Sequence, residues 1–363
     1  MILSIRDNTY VIFNRTKGLK DLFDREHEVK ALKDGLNERL VLVLGLRRTG
    51  KSSLVRSTLN SIDVNTVVLD VRKAYDEISK KVTSERLLEE LHSSMLKLDL
   101  KEKLKDLYSR LEITLESPLR VKLSPRNLIK DFVEVLEMLN DNGKTVIAFD
   151  EAQYMRFSTI GMRSIMAYVY DNLKNVTLVL TGSEVGLLYD FIGLNNPDAE
   201  LYGRYYKAVN VDPFDRKMSK EFLVKGFVEL GVNFDEKTVE EAAEELGGIP
   251  GWLVYFGKLY EEKGKNALNE VKEIGSELVK RELESIFARS SYYLYILKAI
   301  AVSEKASWKN IVDYVTVKTG SPALNATISR DINNLLKMGF IKKEIEGYAI
   351  ADPIVRYTVL KKF

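Results

Sequence analysis

The chain is 363 residues long and 45 % apolar, enough for two or three domains with buried cores, and its net charge of +2 singles out no class of partner. It contains no cysteine, which excludes disulfides and thiolate chemistry, and its two histidines, His27 and His92, lack metal-ligand spacing. No run of 18 apolar residues is present and Met1 to Arg6 has no secretory pattern, so a cytoplasmic location is expected.

In chain order, Leu19 to Asn37 reads as a loop and a helix, with Asp24 as the expected N-cap and Val29, Leu32 and Leu36 at helical spacing. Leu40 to Leu44 is an unbroken apolar strand. It runs into Gly45-Leu46-Arg47-Arg48-Thr49-Gly50-Lys51-Ser52, and a helix is expected to start near Lys51. The spacing fits G-x-x-x-x-G-K-[ST], the phosphate-binding loop, in the strand–loop–helix context that the motif requires. The glycines let the backbone curl so that its N–H groups converge, and the helix start adds its positive dipole end. Lys51 suits the β- and γ-phosphates of a nucleotide, and the Ser52 hydroxyl suits Mg²⁺. Arg47 and Arg48 bring two further cations close to the phosphates, with solvent-facing side chains as the equal alternative. The competing reading, a glycine-rich turn that matches by chance, is disfavoured by the flanking strand and helix.

A second strand is expected at Thr66 to Val71. Ser84 to Leu115 reads as largely helical, with no evident chemistry. Ser124-Pro125 opens an amphipathic helix bearing Leu128, Ile129, Phe132, Leu136 and Leu139, which Asn142-Gly143 ends. Thr145 to Phe149 is an apolar strand closing on Asp150-Glu151. Val176 to Thr181 is another, closing on Gly182-Ser183-Glu184, and Tyr205 to Val211 is a possible fifth. Strands alternating with helices predict an α/β fold, a P-loop NTPase parallel sheet with helices on both faces, in which ligands sit at the carboxyl ends of strands.

Asp150 is expected to hold Mg²⁺ through water, and Glu151 to orient and deprotonate the water that attacks the γ-phosphate. Alone, an Asp-Glu pair after a strand reads as a helix N-cap; the company of the loop shifts the reading to catalysis. The Thr181 or Ser183 hydroxyl could contact the γ-phosphate or that water, against the plain reading of a strand-end turn. Arg204, after Gly203, is a candidate arginine finger, against the plain reading of an ion-paired surface arginine.

Asp212-Pro213-Phe214 breaks the alternation. Lys220 to Gly264 reads as a small helical cluster containing Gly247-Gly248-Ile249-Pro250-Gly251-Trp252. Helices follow at Tyr292 to Val302, at Trp308 to Val317, and from Ser321-Pro322 to Gly339, the last carrying Leu324, Ile328, Leu335 and Leu336. Phe340 to Glu344 and Gly347 to Ile350 form a ribbon. Three helices and a ribbon predict a winged helix-turn-helix. Asn325, Arg330, Asn333 and Lys337 on the third helix, with Lys342 and Lys343 in the wing, suit base edges and phosphates of double-stranded DNA. A protein-interaction or regulatory module with a basic face is the other reading.

With these elements in place, the chain resembles an archaeal ATPase of the AAA+ superfamily, in the STAND-like branch with a C-terminal winged helix. The resemblance implies domains at 1–212 (ATPase core), 213–286 (helical lid) and 287–363 (winged helix). It implies that Asp150-Glu151 is the Walker B pair, that an extra strand separates it from the P-loop strand, and that Thr181 to Ser183 is a sensor. Leu22-Phe23-Asp24-Arg25-Glu26 resembles the family's h-h-G-R-x-x-E segment beside the adenine, with Asp24 where glycine is usual. Gly248-Ile249-Pro250 resembles the lid's G-x-P motif, whose proline packs near the adenine. Gly203-Arg204 resembles the finger segment, which acts across subunits only in an oligomer. The nucleotide site implied is Phe23, Arg25, Gly45, Leu46, Arg47, Arg48, Thr49, Gly50, Lys51, Ser52, Ser53 and Pro250. No N-K-x-D guanine signature follows the core strands, so ATP or ADP with Mg²⁺ is expected rather than GTP. The leading reading is a Mg²⁺-dependent ATPase acting as a nucleotide-controlled switch. A module holding ADP or ATP with negligible turnover is the alternative, and a small-molecule kinase fits Glu151 and the C-terminal region less well.

Overall fold

The computed structural model describes residues 13, 18–95, 98, 100, 102–103, 106–107, 114–117, 120–122, 128–322 and 324–363. The helix start expected at Ser124-Pro125 lies outside them, as does much of the Ser84 to Leu115 stretch after Met95. By contacts the chain divides into two units. An α/β unit takes Arg25–Gly45 and Lys51–Val211; a helical unit takes Met1–Asp24, Leu46–Gly50 and Asp212–Phe363.

The α/β unit begins with α1 (Glu26–Gly35), β1 (Leu40–Leu44), α2 (Lys51–Leu59), β2 (Asn65–Asp70) and a short α3 (Val71–Ala74). A small hairpin, β3 (Tyr75–Asp76) and β4 (Lys81–Val82), leads to α4 (Ser84–Met95); a second, β5 (Thr114–Ser117) and β6 (Arg120–Lys122), precedes α5 (Leu128–Asp141). Then come β7 (Thr145–Asp150), a 3₁₀ turn at Ala152–Phe157, α6 (Met162–Asn172), β8 (Val176–Gly182), α7 (Val185–Ile192) and β9 (Lys207–Asn210). Five strands form one sheet in the order β2-β7-β8-β1-β9, with every pair parallel. Every residue of β1, β7 and β8 is buried, which is why these strands read as continuous apolar runs rather than alternating ones. In α5, Phe132, Val135, Leu136 and Leu139 face the core, and Gly143 takes the positive φ of 98° that ends the helix.

Register decides the function of this sheet. Asp70 pairs with Asp150 and Leu44 with Gly182, so the ends of β1, β2, β7 and β8 open on the same edge. The strand bearing Asp150 does not adjoin the P-loop strand; β8 lies between them. That matches the extra strand implied by the resemblance.

The helical unit comprises α8 (Arg216–Leu230), α9 (Glu236–Glu245), α10 (Pro250–Lys263), α11 (Ala267–Phe287), α12 (Ser291–Ser303), β10 (Lys305–Ala306), α13 (Trp308–Thr319), α14 (Asn325–Lys337), β11 (Ile341–Glu344), β12 (Gly347–Ile350) and α15 (Pro353–Lys362). An aromatic cluster of Phe13, Phe23, Phe214, Phe222 and Phe227 closes its first part, with ring centres 5.4 to 5.7 Å apart. Toward the C-terminus, β10, β12 and β11 form a three-stranded antiparallel sheet beside α12, α13 and α14.

Two local expectations are corrected. The N-cap of α1 is Arg25, not Asp24, and Asp24 adopts the left-handed φ of 48°. That is a backbone well in which glycine is at ease, so the position, not the side chain, is what the local fold requires. Helix α14 starts at Asn325 rather than at Ser321-Pro322, because Leu324 is extended, at φ −72° and ψ 111°, and solvent-exposed.

Candidate functional site

The P-loop motif sits where β1 ends and α2 begins. Arg48 and Gly50 take positive φ values of 68° and 96°, the curl that turns backbone N–H groups inward. Thr49 Oγ donates to the Leu46 carbonyl at 3.0 Å and ties the loop to itself. Lys51 and Ser52 open α2, and the Lys51 side chain is buried.

The carboxyl end of β7 meets that helix start. Ser52 Oγ donates to Asp150 Oδ1 at 2.8 Å, and Thr181 Oγ1, from β8, donates to the same oxygen at 2.6 Å. Arg56, one turn after Ser52 on α2, stands 3.8 Å from Asp150 Oδ2. Thr181 Oγ1 also accepts the Glu151 N–H at 2.9 Å, so one hydroxyl fixes both members of the acid pair. Ser52 and Asp150 are the oxygen donors that could hold a hard cation such as Mg²⁺, which takes one or two protein ligands and fills its octahedron with water and phosphate.

Glu151 is the N-cap residue of the 3₁₀ turn, but only its backbone caps: its carbonyl accepts the Tyr154 N–H at 3.1 Å, its backbone is left-handed, at φ 55° and ψ 50°, and its side chain turns elsewhere. Its Oε2 accepts from Ser183 Oγ at 2.6 Å, from the Ser183 N–H at 3.3 Å and from Gln153 Nε2 at 2.6 Å. Burial pushes the Glu151 carboxyl up, but the Lys51 ammonium, the Ser183 and Gln153 donors and Arg72 outweigh it and hold the group below the usual carboxylate range. A strained backbone carrying an ionised, part-buried carboxylate is a recurrent mark of a reacting site.

In the helical unit, Phe23 packs against Phe214 and Phe222. Arg25, buried at the start of the α/β unit, pairs with Glu28 at 2.5 Å. Pro250 is the first residue of α10. Just before it, Gly248 accepts the Phe214 N–H at 2.8 Å, and a Cβ at Gly248 would stand 1.8 Å from the Phe214 carbonyl oxygen. Just after it, the Gly251 N–H donates to the Arg48 carbonyl at 2.9 Å. The Arg48 guanidinium lies 4.4 Å from the Trp252 ring centre and 3.1 Å from Glu282, to which Arg47 also comes within 3.6 Å.

Arg204 is not brought to the acid pair. It forms a two-pronged ion pair with Asp171, at 3.0 and 2.6 Å, and donates to the Glu200 carbonyl. On α14, Asn325, Arg330 and Asn333 are exposed on the outer side and Lys337 is half-buried; Lys342 and Lys343 are exposed on β11. Arg330 pairs with Asp331 at 3.1 Å and Lys342 with Glu344 at 3.0 Å.

Sequence reasoning missed Arg56, Arg72, Gln153 and Trp252. Arg56 carried a legible signal, four residues after Ser52 and so on the same helix face. Arg72 follows the end of β2, where Asp70 accepts from its Nε at 3.2 Å.

A parallel sheet with this loop, and with a lysine, a serine and an acid pair at its carboxyl edge, defines a P-loop nucleotide-binding ATPase. The sequence model of an ATPase domain found predominantly in Archaea matches residues 22–256, and the chain belongs to that family. A Walker-type ATPase of Pyrococcus abyssi is 38 % identical, over 96 % of this chain and 99 % of that one, with a TM-score of 0.80. The ORC2 protein of Aeropyrum pernix, solved as ADPNP–ADP complexes, shares the fold at 14 % identity and a TM-score of 0.59, over 97 % and 98 % of the two chains. No curated protein matches the sequence. Among the described residues no helix is long and apolar enough to cross a membrane.

Proposed function

We propose that this ATPase hydrolyses ATP with Mg²⁺ held by Ser52 and Asp150, and that its nucleotide state is felt by the C-terminal half through the P-loop arginines. The observation that carries the first part is the Ser52–Asp150 bond of 2.8 Å with Glu151 next in the chain. When bound, Mg²⁺ would offset charge on the phosphate oxygens. Lys51 and the loop N–H groups would do the same, and Glu151 would take the proton of the attacking water as its oxygen bonds to the γ-phosphorus and ADP departs. ADPNP and ADP in the Aeropyrum pernix relative support an adenine nucleotide here. The test is γ-phosphate release: Lys51→Ala should lose nucleotide binding, and Glu151→Gln should bind ATP but turn it over at least ~100-fold more slowly. Wild-type turnover in Glu151→Gln would mean that the base is misassigned.

The switch reading is supported by Arg48, whose backbone and side chain are both held by residues of the C-terminal half. In this reading 213–286 is a lid and 287–363 a winged helix-turn-helix, whose order of helices and strands α12-β10-α13-α14-β11-β12 follows. The exposed Asn325, Arg330 and Asn333 of α14, with Lys342 and Lys343 of the ribbon, suit double-stranded DNA. ADP retained through purification with negligible turnover would instead favour a nucleotide-holding regulatory module. Arg204 would act as a finger only by leaving Asp171 and reaching a neighbouring copy; Arg204→Ala should then slow turnover only where the protein self-associates.

A further inference from the structure

Gln153 lies in the 3₁₀ turn after the acid pair and is fully buried, yet the P-loop chemistry so far gives it no part. Its Nε2 donates to Glu151 Oε2 at 2.6 Å and reaches Ser183 Oγ at 3.3 Å. Its Oε1 has no hydrogen-bond partner among the described residues. A buried acceptor left unpaired keeps the full cost of its desolvation, so an apolar side chain of the same size would serve packing better. Gly182, at the end of β8, borders the amide: a Cβ placed there would meet Leu188 Cδ2 at 2.7 Å and stand in ordinary contact, 3.4 Å, with Gln153 Oε1. Glu151 carries a second cost, a left-handed backbone in a residue with a Cβ. Both costs converge on one product, a Glu151 carboxylate fixed at one oxygen by a buried amide and a serine.

We propose that Gln153 is a positioning residue for ATP hydrolysis, its buried amide acting with the Ser183 hydroxyl to fix Glu151 Oε2 and so orient the carboxylate toward the attacking water. The proposal rests on the reading of Glu151 as the base. Oxygen Oε2 is fully engaged by its donors, so proton transfer falls to the other carboxylate oxygen, whose direction is then set by the Gln153 and Ser183 bonds. A base misdirected by a fraction of an ångström loses rate without losing substrate, because the amide touches the base and not the nucleotide.

The test is steady-state ATP hydrolysis with Mg²⁺, alongside ADP binding, by three variants of the full chain. Gln153→Met keeps the volume and removes both polar ends. Gln153→Glu keeps the outline and replaces the donor by a carboxylate facing Glu151. Both should lower kcat by ~10-fold or more, with KM for ATP and Kd for ADP within about two-fold of wild type. Glu151→Gln, the third, separates the two claims: if it turns over like wild type, the base reading fails. If it is inactive while Gln153→Met keeps wild-type kcat, the Gln153 assignment alone is wrong. Loss of ADP binding in step with turnover, in both Gln153 variants, would also overturn it, since the residue would then merely hold the fold.

Discussion

The guanidinium of Arg48 stacks 4.4 Å from the ring centre of Trp252, while the Arg48 carbonyl accepts the N–H of Gly251, the residue before that tryptophan. A phosphate-loop residue with positive φ is thus gripped at its backbone and its side chain by the start of α10. The grip explains why a residue with a Cβ is stable in a turn that favours glycine: about 1–2 kcal/mol of left-handed strain is offset by a cation–π contact and a hydrogen bond.

Arg48→Met should therefore destabilise the protein by about 1–2 kcal/mol, read as a lower melting temperature. Glu282→Gln alone should cost less than about 1 kcal/mol, because that carboxylate is a third exposed and its ion pair is screened. Unchanged melting in Arg48→Met would show that the stacking contributes nothing.

Trp252 also donates its Nε1–H to Asp352, at 3.2 and 3.1 Å from the two carboxylate oxygens, and Asp352 caps α15 by accepting the Ile354 N–H at 2.8 Å. Burial pushes the Asp352 carboxyl up, against the lowering by Trp252, the Ile354 N–H and Arg48. A raised folded-state value means that the native state favours the protonated form. Its contribution is complete below the unfolded value and is lost as pH rises through the folded one. Asp352→Asn keeps both acceptor bonds without the charge. It should be at least as stable as wild type at pH 7, and the gap should close as the pH falls toward about 4. Asp352→Ala should cost about 1 kcal/mol or more at any pH, since the cap is gone.

Thr181 joins Asp150 Oδ1 to the Glu151 N–H through one hydroxyl. Thr181→Val keeps the shape and removes both bonds. It should destabilise by about 1–3 kcal/mol and slow hydrolysis, while Thr181→Ser restores most of each. Equal turnover in wild type and Thr181→Val would mean that the alignment of the acid pair does not depend on this bridge.

The parts of the architecture that were legible in the sequence are local patterns. Leu40 to Leu44, Thr145 to Asp150 and Val176 to Gly182 announce buried parallel strands because both their faces are covered. The P-loop announces itself because its spacing is dictated by backbone geometry. Strand order was not legible from β7 alone, since what lies beside Asp150 depends on where the crossovers return; the family resemblance supplied the intervening strand. The Asp24 departure from glycine was visible, but its consequence, a left-handed residue that forfeits the N-cap, required the backbone. Gln153 was hidden for a different reason. It touches Ser183, thirty residues away, and a buried amide leaves no periodic trace in sequence.

The ribbon offers the sharpest test of the C-terminal partner. Lys342 and Lys305 both pair with Glu344, at 3.0 and 3.1 Å, and Lys305 also lies 3.8 Å from Glu346. If this sheet lies on DNA phosphates, Glu344→Gln frees Lys342, leaves Lys305 with Glu346 alone, and should tighten binding to double-stranded DNA. The slope of log K against log salt should steepen by up to about 0.9 for each phosphate gained. Lys343→Ala should flatten the slope by about the same amount, equally for all sequences, whereas Asn325→Ala and Asn333→Ala should alter preference among sequences more than salt dependence. Fluorescence anisotropy on a labelled duplex across a salt series reads all four. An unchanged or weaker affinity in Glu344→Gln would place the acid, rather than the lysines, at the working surface and point to a basic protein partner.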